Sequence, residues 1–155
     1  MKVETVELHP QPMLFLSRRS TMDPAAIGQA MGEMFAAMGL FIGEKQPPVA
    51  GPPLAIYRDH DSGGVTIDLG FPVAKAGVSL AAGEIRSGTT PGGRAIKVVH
   101  RGPYDRLRAT YAELEAHFAE KGIPMPARTW EVYLNEPGTV SEADLLTEIY
   151  MPIPS

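Results

Sequence analysis

Cysteine is absent from all 155 residues, which removes disulfide frameworks, thiolate metal sites, redox couples and cysteine nucleophiles together. The start also lacks an apolar stretch. Met1-Lys2-Val3-Glu4-Thr5-Val6-Glu7 carries acids where a secretory peptide needs its hydrophobic region, so the expected location is the cytoplasm. The longest nearly uninterrupted apolar run, Met34 to Gly43, is about half of what a bilayer-spanning helix requires, and it reads as a core segment with no membrane partner. Basic residues are not in excess: 14 Lys and Arg against 18 Asp and Glu give a formal charge of -4. They are scattered apart from Arg18-Arg19 and the Arg101, Arg106, Arg108 group, which argues against nucleic acid as a direct partner and leans toward cations. His9, His60, His100 and His117 have no companions at metal-ligand spacing, so neither a metal nor another cofactor is expected. Asp59-His60-Asp61-Ser62-Gly63-Gly64 opens like a calcium loop, but Gly70 stands where the bidentate Glu of that loop belongs, and a hairpin turn is the better reading.

The chain is long enough for one ordinary domain over residues 1–155, and 16 Gly with 15 Pro imply many tight connections. Asp23-Pro24 is an N-cap acid followed by proline at the first helical position. Ile27, Met31, Met34, Phe35, Met38, Phe41 and Ile42 then recur at spacings of three and four as far as Gly43. A second helix is expected from about Tyr104-Asp105, with Leu107, Tyr111, Leu114 and Phe118 on one stripe, ending at Gly122. Strands are expected near 2–8, 13–19, 54–59, 64–73, 83–87, 93–100, 129–135 and 144–153.

The two halves of the chain repeat each other. Leu54-Ala55-Ile56-Tyr57-Arg58-Asp59 parallels Trp130-Glu131-Val132-Tyr133-Leu134-Asn135, and the run from Thr66 to Val73 parallels the run from Leu146 to Ile153. Asp68 then answers Glu148, Tyr57 answers Tyr133, and Arg19 with Asp23 corresponds to Arg101 with Asp105. With repeats of about 1–75 and 82–155, the expected fold class is α+β: a duplicated βαββ-type unit with pseudo-twofold symmetry, a curved antiparallel sheet, two helices, and a groove on the internal axis.

The groove's chemistry is read from acids that interrupt apolar strands. A period of two puts Glu131 and Tyr133 on one face of their strand and Trp130, Val132 and Leu134 on the other; Glu148 shares a face with Tyr150. A carboxylate on a buried strand face costs several kcal/mol to desolvate unless donors or a counter-charge compensate. Either the strand face is solvent-exposed or Arg58, Arg94 or Arg128 supplies the counter-charge internally; otherwise an acidic floor with tyrosine walls suits a lipophilic cation.

Three segments carry a family likeness: Ile96 through Asp105, Trp130-Glu131-Val132-Tyr133-Leu134-Asn135-Glu136-Pro137, and Leu146 through Ile153. Together they resemble the gyrase-inhibitor-like (GyrI-like) small-molecule-binding domains, which also serve as effector-binding domains of AraC-type and multidrug-sensing transcription regulators. The resemblance implies a central groove whose acid binds hydrophobic, often cationic compounds among aromatics. It implies Glu148 as the central acid and Tyr150 as its aromatic neighbour, with Glu131 and Tyr133 at the matching positions of the preceding strand. Tyr104 matches a tyrosine that opens the second helix, where a local structural role is as good an account as ligand contact. The repeat adds Tyr57 and Asp68, and Trp130 is a candidate wall residue expected to face the helices. The first strand starts almost at Met1, where the family's regulators carry a helix-turn-helix, so a stand-alone form without a DNA-binding domain is expected. Two alternatives stay open: an interaction module acting on a protein partner such as gyrase, and hydrolysis of strained cyclopropane-bearing compounds, known in one branch of the family. A buried Glu would serve the latter as general acid or base.

Overall fold

The computed structural model describes residues 1–154. Eight strands form one sheet: β1 (Glu4–Leu8), β2 (Pro12–Ser20), β3 (Leu54–Asp61), β4 (Gly64–Pro72), β5 (Arg86–Thr89), β6 (Gly93–Arg101), β7 (Thr129–Tyr133) and β8 (Leu146–Pro152). Two α-helices, α1 (Pro24–Lys45) and α2 (Leu107–Lys121), follow β2 and β6. Spatial order is β1-β6-β8-β7-β3-β4-β2-β5, with every named pair antiparallel.

That order is a palindrome about the β7–β3 seam. Ile56 faces Asp68 across β3 and β4 as Val132 faces Glu148 across β7 and β8, and Arg19 faces Thr66 as Arg101 faces Leu146. The repeat visible in the residues is thus a repeat of hydrogen-bond register. The first strand of each half is exchanged: β1 edges the second half by pairing with β6, and β5 edges the first by pairing with β2. Neither half closes its own sheet, and the two form one structural unit.

Local signals set the helices. The Asp23 side chain accepts from the Ala25 N–H, and Pro24 occupies the first turn. α1 does not stop at Gly43 as its periodicity suggested; it runs to Lys45, and Gln46 caps it with φ 47°. Pro47 explains the shift, because the residue before a proline is driven out of the α region. A short 3-10 turn, Tyr104–Arg106, precedes α2, and Gly122 ends it with φ 69°. β5 lies a few residues beyond the expected 83–87, since Gly83 turns with φ 58° and Ala82 bridges Ile85 first.

Three apolar clusters hold the layers. α1 lays Met34, Met38 and Phe41 on Leu14, Leu16, Ile67 and Leu69; α2 lays Leu114 and Phe118 on Ile96, Val98, Ile149 and Met151. The third lies on the face away from the helices and joins Met13, Leu54, Ile56, Ala95, Trp130 and Tyr150. There Trp130 stacks on Tyr150 with centroids 5.7 Å apart and rings inclined by 6°. α1 is not uniformly core: Phe35, Leu40 and Ile42 are exposed, and only the face bearing Met34, Met38 and Phe41 is sealed. By length and composition alone α1 would pass for a membrane span, because Gly and Ala dilute its polar residues. Gly70 allows β2 and β4 to pack here: a Cβ at this position would lie 2.0 Å from the Leu14 carbonyl oxygen.

Candidate functional site

Register decides which candidate residues meet. β7 and β8 pair Glu131 with Ile149 and Val132 with Glu148, so the two acids point to opposite faces of the sheet. Glu131 and Tyr133 face the helices; Glu148, Tyr150 and Trp130 face away.

On the helix side Glu131 sits at the seam of the palindrome, directly across from Ala55. It is 5% exposed. The Tyr111 hydroxyl, brought by α2, donates to Oε2 at 2.6 Å, and the Tyr133 hydroxyl donates to Oε1 at 2.7 Å. No Lys or Arg pairs with it among the described residues. Burial raises the Glu131 carboxyl above its ordinary value of 4.5, while the two tyrosine donors and the nearby His100 pull it back without cancelling the rise. The same burial, reinforced by Glu131, pushes the hydroxyls of Tyr57, Tyr111 and Tyr133 upward, so they stay protonated donors.

Rings complete the enclosure. Phe35 from α1 and Tyr104 from the turn before α2 each meet Tyr133 edge to face at 5.8 Å. Tyr57 packs against the same cluster. Tyr104 is 37% exposed and stands at the rim. His100 holds that rim: its Nδ1 bonds the Thr110 hydroxyl at 2.8 Å and its Nε2 the Pro103 carbonyl at 3.1 Å, tying the end of β6 to the start of α2. Around the cage a cleft of about 2140 Å3 opens between the helices. Glu131 is its one buried acid, set among aromatic rings, while the charged side chains of Arg58, Asp59, Asp105, Arg108, Glu115, Arg128 and Glu136 line it nearer to solvent.

Four of the expected site residues therefore line one cleft: Glu131, Tyr133, Tyr57 and Tyr104. The other four do not. Glu148 pairs with Lys97 Nζ at 3.0 Å and accepts from the Tyr150 hydroxyl at 2.9 Å. Asp68 pairs with Arg58 Nε at 2.6 Å and accepts from Ser17. Trp130 lies under Tyr150 with the Arg128 guanidinium 5.6 Å from its ring, on the face away from the helices and not on the helix side where it was expected. Among the described residues none of Arg58, Arg94 and Arg128, the internal counter-charges considered for Glu131 and Glu148, pairs with either acid: Arg58 goes to Asp68, and the partner of Glu148 is Lys97. Tyr111 and Phe35 were missed as cage members because each falls in an apolar helical stripe. The available signal for Tyr111 was its hydroxyl, in a stripe otherwise made of Leu107, Leu114 and Phe118. Among the described residues, no three His, Asp or Glu side chains converge as a metal ion would require.

Comparison with known proteins agrees with this architecture. The family described as GyrI-like small molecule binding domain matches residues 1–154. None of the curated proteins matches. Among solved structures, the chain is similar to the EcmrR C-terminal domain, with TM-score 0.81 and 17% identity over 99% of this chain and 98% of that one. It is also similar to SAV2435 bound to tetraphenylphosphonium, with TM-score 0.74 and 11% identity over 100% and 95%. A hydrolase from Listeria innocua aligns at TM-score 0.64 and 13% identity over 99% and 92%. At such identities the likeness is one of fold.

Proposed function

The chain belongs to the GyrI-like small-molecule-binding family, and from that premise we propose that its cleft binds lipophilic cations, with Glu131 as the charge partner and Tyr57, Tyr104, Tyr111 and Tyr133 as the aromatic walls. One observation carries the reading: a carboxyl 5% exposed, held by two tyrosine hydroxyls and by no cationic side chain. Burying such a group opposes ionisation by several kcal/mol. Two charge-assisted hydrogen bonds return about 1.5–3 kcal/mol each. A bound cation supplies the missing compensation. The role of central acid passes from Glu148, which already has its counter-ion in Lys97, to Glu131, which has none.

SAV2435 was solved with tetraphenylphosphonium, which makes that ion the natural first probe. Isothermal titration with tetraphenylphosphonium and with tetraphenylborate, an anion of the same shape, tests the proposal. Cation binding at 1:1 with no anion binding is expected; equal affinity for the two ions overturns it. Hydrolysis is a second reading, favoured by the same carboxyl, since burial raises its proton affinity above that of a free carboxylate, in the direction a general base requires. It predicts product from an activated substrate beyond one equivalent of protein, and product at or below one equivalent rejects it.

A further inference from the structure

The cleft is larger than the cage. At about 2140 Å3 it is roughly twice the ~1,000 Å3 of a large small-molecule pocket. One wall is a single stripe of α1: Ile27, Met31, Phe35, Met38 and Ile42. At 1.5 Å per residue that stripe runs about 22 Å. Phe35, the member that touches Tyr133, lies midway along it. The charge site is therefore at the middle of the groove, with about 10–12 Å of apolar wall on either side.

Two glycines keep the arms open. Gly39 lies four residues beyond Phe35 and Gly28 seven before it; both line the cleft, and a Cβ at either would meet nothing within 4 Å. Glycine inside a helix costs about 0.5–1 kcal/mol relative to alanine, at these two positions as at Gly32 and Gly43, which lie outside the cleft lining. Glu131 is the one buried acid of the lining, the position across the seam from it being the buried Ala55, whereas Asp59, Asp105, Glu115 and Glu136 line the cleft from solvent-exposed positions.

Resting on the cation-binding reading, we propose that the preferred ligand is a monocation whose charge lies between two flexible apolar arms, as in a dialkyldimethylammonium. The headgroup sits in the tyrosine cage, and one chain runs past Gly39 toward Ile42 while the other runs past Gly28 toward Ile27. The thioether of the half-buried Met31 adapts the wall to chains of different length, while Met38 at its back is fixed in the core.

Titration of didecyldimethylammonium and decyltrimethylammonium, below their micelle concentrations, against wild type, Gly39→Phe and Gly28→Phe tests this. A buried methylene contributes roughly a fourfold gain, so the two-chain ion is expected to bind at least a hundredfold more tightly than the one-chain ion. Each phenylalanine is expected to weaken the two-chain ion tenfold or more. It should weaken the one-chain ion less than threefold, because that chain can use the arm left free. Equal affinity of the two ions, or a two-chain affinity that neither variant alters, overturns the proposal. A 2:1 stoichiometry for tetraphenylphosphonium, or a sedimenting dimer that excludes the dialkyl ion, overturns it as well, the groove then being a double site or an interface between copies. Gly39→Leu and Gly28→Leu repeat the test if a phenylalanine variant fails to fold by circular dichroism. The two readings fail separately. Glu131-dependent tetraphenylphosphonium binding without a two-chain gain removes the arms and keeps the cage; a two-chain gain that persists undiminished in Glu131→Gln removes the cage and keeps the arms.

Discussion

Replacing Glu131 by Gln removes the charge of the cage and keeps its volume. A cation resting on the tyrosine faces lies about 6 Å from the carboxylate; with an effective dielectric near 20, the attraction is about 2.8 kcal/mol. That converts to a loss of about a hundredfold in Kd for tetraphenylphosphonium, while aromatic and apolar contacts stay in place. Calorimetry of wild type and Glu131→Gln with tetraphenylphosphonium, tetraphenylborate and neutral triphenylphosphine oxide separates charge from shape. The cation should lose about a hundredfold, the neutral compound less than about threefold, and the preference for cation over anion should collapse. A proportionate loss for cation and neutral compound would refute the reasoning, because it would mean that the substitution had damaged the cleft and had not merely discharged it. Stability supplies a second readout with its own sign. The folded-state value of Glu131 is raised above the unfolded one, so folding favours the neutral carboxyl and the ligand-free protein loses stability as pH rises from about 4.5 through the raised value. Glu131→Gln has no such proton to lose, and its unfolding midpoint in urea should fall less over that range.

Cation affinity should follow the same proton. Below the raised value a cation must expel it, so Kd should tighten about tenfold per pH unit and level off above, with proton release seen as buffer-dependent heat. Tyr133→Phe removes the donor to Oε1, pushes Glu131 further up and should shift the midpoint of that curve to higher pH, read by the same titration. Glu148→Gln breaks only the partly exposed pair with Lys97 on the opposite face; it should cost under about 1 kcal/mol in urea unfolding and leave tetraphenylphosphonium binding within about twofold. Gly70→Ala drives a methyl into the Leu14 carbonyl and the Phe15 side chain, and its urea midpoint should report a loss of about 3 kcal/mol, the upper end of overpacking.

Much of the fold was legible in the residues. Period-two alternation put Glu131 with Tyr133 and Glu148 with Tyr150, and the structure keeps both pairings. Asp23-Pro24 and Gly122 marked helix ends, and the parallel between Tyr57 and Tyr133, or Asp68 and Glu148, proves to be one of register. The helix C-terminus at Gln46 was missed because a glycine permits an end whereas Pro47 compels one. The cage was half legible: Tyr111 and Phe35 carry the spacing of core residues, and periodicity does not distinguish a side chain that seals a core from one that walls a cleft beside it.

Composition, capping residues, strand alternation and the internal repeat are local properties, and they determined the elements, their order and the partition of each strand into two faces. Alternation is blind to which face the helices cover. That depends on how β7 pairs with β8, which sets Glu131 opposite Ile149 and turns Glu148 toward Lys97, and on where α2 docks, which carries the Tyr111 hydroxyl to Glu131. The difference between two equally patterned acids is therefore visible only in tertiary structure, because a carboxyl's surroundings depend on what lies across the chain from it: a lysine for Glu148, tyrosine hydroxyls and an open cleft for Glu131.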